Sequence, residues 1–364
     1  VKNILYHSFH TPNPRGNGGN RRTAQITDIL KRSNFGINFL NEIDYRPKKF
    51  SSLPKGISAM LNYNFPVRFR KKNISLAGHY YQQLIHQLNS CPKSTVLIWE
   101  SNIHNYFLLP LIAKKMGIKT IGVPQNIESL VPNQKSSFTD KESPDWFLEE
   151  INYFRSTEKV FTISKEEKWL FNLFNIDADY LPYYPVKDME VYYEGIRKLR
   201  SSANFKNNGR ILMVGSGNNP PTYLGMKEVL KNLLKYDSNI TIDIAGFATQ
   251  KLQQEFTHPN YHFHGPLAEE VLYKMMVDCK FILNHQKITT GALTKIPELL
   301  IAGIPVVANF ESSRSYYNID GVYTYTNFEE LGYLAKNETF YIPEKMERPD
   351  AFERNFIQYV STII

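Results

Sequence analysis

The segment from Thr289 to Asn309 (T-T-G-A-L-T-K-I-P-E-L-L-I-A-G-I-P-V-V-A-N) joins a polar loop around Gly291 to an apolar-faced helical stretch. That stretch bears one acid, Glu298, breaks at Gly303-Ile304-Pro305 and re-enters a strand, Val306–Ala308. A helix that follows a glycine-bearing loop offers unpaired backbone N–H groups and the positive end of its dipole, which is what a phosphate needs. The reading is that the backbones of Thr290, Gly291 and Ala292, with the amine of Lys295, hold a diphosphate. Glu298, two turns further on, then accepts hydrogen bonds from ribose hydroxyls. The plainer alternatives are an exposed helix lysine and a surface carboxylate.

Other residues fall where strands end. Gly18 and Gly19 follow a first strand, Asn3–Tyr6, and precede a helix, so a ligand-facing loop is expected in place of a merely flexible turn. Gly215, Ser216 and Gly217 form a glycine-rich turn after the strand Ile211–Val214, and Asn284 and His285 stand at the carboxyl end of the strand Phe281–Asn284. These positions suit contacts to a phosphorylated donor. Glu100 and His104 follow the strand Thr95–Trp99, where a carboxylate serves either as a base toward an acceptor hydroxyl or as a structural group. The acid pairs Glu149-Glu150 and Glu166-Glu167 lie in helical stretches and read as solvated faces. His258, His262 and His264 are crowded, but a short strand, Tyr261–His264, explains them better than a metal site, and no metal ligand set is assigned.

Those residues need elements to hold them. Short apolar runs alternate with helical patterns throughout, which argues α/β with parallel sheets. Further strands are expected at Gly36–Leu40, Thr120–Val123, Lys159–Thr162, near Ala178–Leu181, Thr241–Ala245 and Val322–Tyr325. Helices are expected at Thr23–Ser33, Leu76–Asn89, Phe107–Lys115, Lys165–Phe174, Met226–Lys235, Glu269–Met276, Phe328–Ala335 and Asp350–Ser361. The polar stretch after Pro185 marks a boundary. It gives a first Rossmann-like domain over 1–186, a linker over 187–208 and a second Rossmann-like domain over 209–340. A tail and helix over 341–364 are expected to pack back on the first domain. In such folds the ligand edge is the carboxyl end of the strands.

The 364 residues carry a formal net charge of +8, which favours an anionic partner. Two cysteines, Cys91 and Cys279, without metal-ligand spacing argue against a disulfide framework and for a reducing compartment. No apolar run approaches the roughly 18 to 20 residues that span a bilayer. The opening residues read as a buried strand rather than a signal peptide, so a cytoplasmic protein is expected. Phe65, Arg68, Phe69, Arg70, Lys71 and Lys72 interleave aromatics with cations. They suit an anionic membrane surface, a lipid-diphosphate acceptor or a solvated basic loop. No recognised nucleic-acid module accompanies the charge.

In order, the loop Arg15–Gly19, Pro124–Ser129 (P-Q-N-I-E-S), Phe161–Ser164 followed by Leu181–Pro185, Ile211–Pro221, Ile242–Gly246 and the segment from Thr289 make the chain resemble a GT-B glycosyltransferase of the retaining family 4 group. The resemblance implies two Rossmann-like domains with parallel sheets facing across a cleft. It implies transfer of a sugar from a nucleotide-diphosphate sugar, a co-substrate rather than a cofactor, to a glycan or lipid-linked acceptor in cell-surface polysaccharide assembly. It also implies same-face substitution, with the leaving phosphate taking the acceptor proton. Gln125 stands where the family carries a histidine beside the transferred sugar, and Thr290 where it carries the first of two glutamates. A non-hydrolysing sugar-nucleotide epimerase and a catalytically idle nucleotide-binding or scaffold subunit are the competing readings.

Overall fold

The apolar runs of the first half are three to five residues long, and those inside the sheet are almost wholly buried, which suits strands covered by helices on both faces. In the computed structural model they form β1 (Asn3–His7), β2 (Gly36–Phe39), β3 (Val96–Trp99), β4 (Thr120–Gly122), β5 (Lys159–Thr162) and β6 (Ala178–Tyr180). The structure describes residues 3–40, 53–63, 95–101, 108–136, 139, 141–236, 239–287 and 290–364, with isolated positions between 74 and 89. Half of the helix expected at Leu76–Asn89 falls outside the described residues, and the positions of it that are described are helical; His104 and the whole of Phe65–Lys72 fall outside them.

All ladders of this sheet are parallel, in the order β2-β1-β3-β4-β5-β6. Alternation sends Leu5, Leu97 and Trp99 to one face and Ile4, Tyr6, Val96 and Ile98 to the other. On the first face Trp99 meets Phe154 at 5.0 Å between ring centroids, and Phe154 meets Phe171 at 4.7 Å. On the second, Ile26, Ile29 and Leu30 of the helix Gly18–Arg32 join Phe356 and Val360 of the C-terminal helix Asp350–Ile363. The C-terminal helix is thus part of the first unit, which comprises Val1–Tyr183, Thr290–Ala292 and Pro349–Ile364. Arg32 fixes it through Glu353 at 2.8 Å.

The second unit, Tyr184–Thr289 and Leu293–Arg348, repeats the plan. Its strands are β7 (Ile211–Val214), β8 (Ile242–Ala245), β9 (Tyr261–Gly265), β10 (Phe281–Asn284), β11 (Val306–Asn309) and β12 (Val322–Tyr325). They are all parallel, in the order β12-β11-β10-β7-β8-β9. His262 and His264 lie on β9, and His264 pairs with Asp243 at 2.6 Å. Among the described residues no group of three potential ligands could hold a metal ion, and no helix is long and apolar enough to cross a membrane.

Three expectations about elements fail for local reasons. Gly18 and Gly19 are not loop residues. Asn17 caps a helix that begins at Gly18, in a reciprocal box with Asn20 whose two hydrogen bonds are both 3.1 Å, and this offsets the poor helix propensity of glycine. The helix expected from Met226 begins at Pro220, because proline is favoured where the first N–H has no partner anyway. The stretch read as a linker is largely a 14-residue helix, Lys187–Arg200, belonging to the second unit. Its polarity reflects work done at its buried end. Arg200, 3% exposed, donates to the carbonyls of Gly303 (2.9 Å), Met276 (3.1 Å), Val277 (2.6 Å) and Cys279 (3.0 Å). Arg197 reaches the carbonyls of Ile301 and Pro343, each at 2.8 Å. The two guanidinium groups satisfy the final carbonyls of the helices Glu269–Asp278 and Lys295–Ile301, where a cation also complements the helix dipole.

Arg200→Ala should therefore destabilise the second unit by about 3 kcal/mol, because several buried carbonyls lose a charged donor together. Arg200→Lys should recover less than half of the loss, since one ammonium cannot span four acceptors. Urea unfolding followed by circular dichroism checks both.

Candidate functional site

In a doubly wound sheet the chain leaves a crevice where the strand order reverses, outside the carboxyl ends of the two central strands. The first unit reverses between β1 and β3, and the second between β7 and β10. The chemistry-bearing residues gather at these two edges, each within its own unit.

At the β1/β3 edge Glu100 is 1% exposed. Its carboxylate accepts short hydrogen bonds from Tyr6 and Ser8, one from Thr23 Oγ1 at 2.8 Å and one from Gln125 Nε2 at 2.9 Å. Burial pushes its pKa up, while the four donors pull the other way. The Thr23 hydroxyl also lies 3.0 Å from the Gly19 carbonyl, and β1, β3, the first helix and the turn after β4 meet on one carboxyl group. Glu100 and Gln125, singled out from sequence, are brought together with Gly19. Both Glu100 oxygens are taken, which makes this carboxylate a clamp. Sequence reasoning missed His10. Its ring lies so close over Gly19 that a Cβ there would fall 2.2 Å from Nε2, so a larger residue would push the ring aside. A histidine three residues past the end of a strand carries no spacing signal that would have found it.

The turn Pro124–Ser129 is capped by acids from two later helices. Glu150 accepts from the backbone N–H of Glu128 (3.0 Å) and Ser129 (2.7 Å). Glu167 accepts from Ile127 N (3.3 Å) and Gly291 N (2.9 Å). Glu149, Glu150 and Glu167 are 6%, 0% and 4% exposed, so the expectation that these acid pairs form solvated faces is wrong for three of the four. Glu150 and Glu167 turn inward because unpaired backbone donors need acceptors, and Glu149 accepts instead from the hydroxyls of Ser136 (2.8 Å) and Thr139 (3.2 Å).

The same contacts revise the opening segment. Thr290–Ala292 belong to the first unit, where Thr290 Oγ1 donates to the Ile127 carbonyl at 3.1 Å. Gly291 has φ +74°, in the left-handed region, and a Cβ would lie 2.3 Å from Asn126 Oδ1. Its N–H, expected on a phosphate, is given to Glu167. The helix itself starts only at Lys295, so Glu298 sits in its first turn and is 2% exposed. Gly291 is therefore not at that helix's N-terminus.

At the β7/β10 edge the turn Gly215-Ser216-Gly217 is partly exposed, and Lys295 Nζ donates to the Val214 carbonyl at 3.0 Å. Beside it Asn284 is 2% exposed, with neither amide atom hydrogen-bonded among the described residues. The loop that follows is tied down. Asn309 accepts from Gln286 N (3.1 Å) and donates to Gln286 O (2.7 Å), and Gln286 Nε2 reaches Thr222 at 3.0 Å. His285 stacks on Phe328 and Tyr325, with ring centroids at 5.4 and 5.8 Å. It shares a hydrogen bond of 2.5 Å with Tyr325, and burial pushes its pKa down despite Glu228 nearby. This histidine is a support, neutral and 9% exposed. An open concavity near Thr324, Asn327, Glu329, Glu330 and Tyr333 lies at the outer β12 side and presents carboxylates, which suits no anionic ligand.

No protein-family model matches the sequence, and no curated protein matches it. Solved structures do. The chain superposes on trehalose-6-phosphate synthase OtsA with a TM-score of 0.61 at 10% identity, covering 100% of both chains. It matches sucrose-phosphate synthase from Thermosynechococcus elongatus at 0.59 and 13% identity, over 100% of this chain and 95% of that one. It matches a UDP-forming α,α-trehalose-phosphate synthase from Burkholderia xenovorans, in complex with glucose-6-phosphate, at 0.59 and 10%, over 100% and 96%. At such identities the likeness is one of fold. The chain has the GT-B fold, with two Rossmann-like α/β units built on six-stranded parallel sheets.

Burial holds Glu128 at a pKa of about 7 and Glu150 at about 8. Both keep protons that the unfolded chain releases near pH 4.5, so their contribution to stability is full below that pH and is lost as pH rises through 7 to 8. Thermal unfolding of the protein should accordingly shift to lower temperature between pH 6 and pH 9, by about 2–4 °C for each kcal/mol lost. A melting temperature that rises over this range would contradict the assignment.

Proposed function

We propose that the chain is a glycosyltransferase that moves a sugar from a nucleotide-diphosphate sugar to a hydroxyl on a glycan or lipid-linked acceptor. The observation that carries the reading is the β7/β10 edge, where the Gly215–Gly217 turn lies beside Lys295. Breaking the bond between sugar C1 and the diphosphate oxygen leaves negative charge, which fixed N–H donors and an ammonium stabilise without reorganisation. Three fold neighbours bear names of synthases that make phosphorylated disaccharides, and one of these is UDP-forming with glucose-6-phosphate bound. That supports a nucleotide donor and a sugar acceptor for this chain. Retention of configuration, catalysis without a metal ion and a role in cell-surface polysaccharide assembly follow from the sequence resemblance. Work at the cytoplasmic face of a membrane rests on the basic, aromatic run Phe65–Lys72 and on the net charge of +8.

One observation favours a second reading, a nucleotide-binding subunit without turnover: the Gly291 N–H is engaged by Glu167. The family resemblance, which implies an acid where Thr290 stands, points the same way. Calorimetric titration with UDP, GDP, ADP and CMP, followed by turnover assays on the matching sugar nucleotides, separates the two. Binding with turnover is expected, and binding without it selects the subunit. If no nucleotide binds, both fail. Lys295→Met should weaken the preferred nucleoside diphosphate at least tenfold, about 1.4 kcal/mol, with an unchanged melting temperature.

A further inference from the structure

We propose that Phe247, on the turn after β8, is the face on which the base of the nucleotide donor stacks. This rests on the glycosyltransferase reading and deepens it by naming the side chain of the second unit that meets the nucleoside. β8 pairs directly with β7, and neighbouring strands lie about 5 Å apart, so the turn after β8 adjoins the Gly215–Gly217 turn. A ligand whose diphosphate rests at Gly215–Gly217 and Lys295 can lay its next group over that neighbouring turn. The side chain presented there is a phenyl ring, 63% exposed.

The backbone beneath the ring is held by three hydrogen bonds. The Gly217 N–H donates to the Phe247 carbonyl at 2.7 Å, and the Gly246 N–H donates to the Gly265 carbonyl at 2.7 Å. The hydroxyl of Thr249, a wholly buried residue, closes the turn on the Gly246 carbonyl at 2.8 Å. Gly246 has φ +128°, and a Cβ there would fall 1.9 Å from the Gly215 carbonyl oxygen. The two turns thus meet backbone to backbone, which only glycine permits. Ala248 takes φ +61°, uncommon for a residue with a side chain, so Phe247 stands between two fixed neighbours with its ring in solvent. The Lys251 amine donates to Asn218 Oδ1 at 3.1 Å, which sets a cation beside the same turns.

Two observations separate this ring from a chance surface residue. Asn284, on the other side of β7, is 2% exposed with neither amide atom hydrogen-bonded among the described residues. Such a group is costly alone, and a polar ligand at this edge would satisfy it. Phe310, the exposed ring after β11, stands two strands from β7, so Phe247 is the ring nearer the Gly215–Gly217 turn. Stacking on an aromatic face serves any base, since each has a π-face, so Phe247 adds affinity for the nucleoside without choosing the base.

The test measures binding of UDP, GDP, ADP and CMP to wild-type protein, Phe247→Ala and Phe247→Trp by calorimetry, and follows tryptophan emission. Trp99, Trp146 and Trp169 all belong to the first unit, so the emission added by Phe247→Trp reports on the second. Phe247→Ala should weaken the best-bound nucleotide about tenfold or more, at an unchanged melting temperature. Phe247→Trp should keep its affinity within about threefold, and the bound base should quench the added emission. A Phe247→Ala affinity within about threefold of wild type, or a Phe247→Trp protein that binds nucleotide without quenching, overturns this proposal and leaves the glycosyltransferase reading standing. A wild-type protein that binds none of the four nucleotides overturns both.

Discussion

Parallel pairing is the constraint from which the rest of this structure follows. A parallel strand cannot return by a tight turn, so each needs a crossover, and the crossovers bury both faces of the sheet. Strands of three to five residues are then enough, because nearly every side chain in the central ones is buried. The order must reverse once in each sheet, and it does so between β1 and β3 and between β7 and β10. At these reversals adjacent crossovers diverge, and the carboxyl ends of two strands are left uncovered. Glu100 and His10 stand at one reversal, and Gly215–Gly217, Asn284 and Lys295 at the other.

Buried polar groups do much of the joining around those edges. Glu100 gathers four elements of the first unit, Glu150 and Glu167 cap the turn after β4, and Arg197 and Arg200 close two helix ends in the second unit. Each is matched by several hydrogen-bond partners, without which burying so polar a group would be strongly unfavourable. Such groups fix geometry because a misplaced partner leaves a buried donor or acceptor unsatisfied. They hold the loops at the strand ends in one arrangement.

Much of the fold was legible because hydrophobic runs of strand length and helical periodicity survive in any context. β5, β7, β10 and β12 have the bounds expected from sequence. Local polarity misled where its partners are distant. The helix Lys187–Arg200 looked like a linker because its arginines serve carbonyls about a hundred residues away. Glu150 and Glu167 looked solvated because the N–H groups they cap lie elsewhere in the chain. Gly18 and Gly19 looked like a loop because the reciprocal Asn17–Asn20 cap outweighs two glycines. At the site, glycine after a strand and polar residues at strand ends placed Gly215–Gly217 and Glu100 at the carboxyl edges of the two sheets, where the structure has them. Nothing in the spacing distinguished His10 from the other eight histidines. Its ring's seat over Gly19 comes from the packing of the loop after β1 on the first helix.

The central claim is that the strand-order reversals carry the chemistry. Amide hydrogen exchange, measured by mass spectrometry with and without saturating nucleoside diphosphate, tests it most directly. Added protection is expected in peptides covering 214–226 and 284–287, at the carboxyl ends of β7 and β10. Protection confined to the outer β12 side, around 324–334, with exchange at 214–226 and 284–287 unaltered, would contradict it.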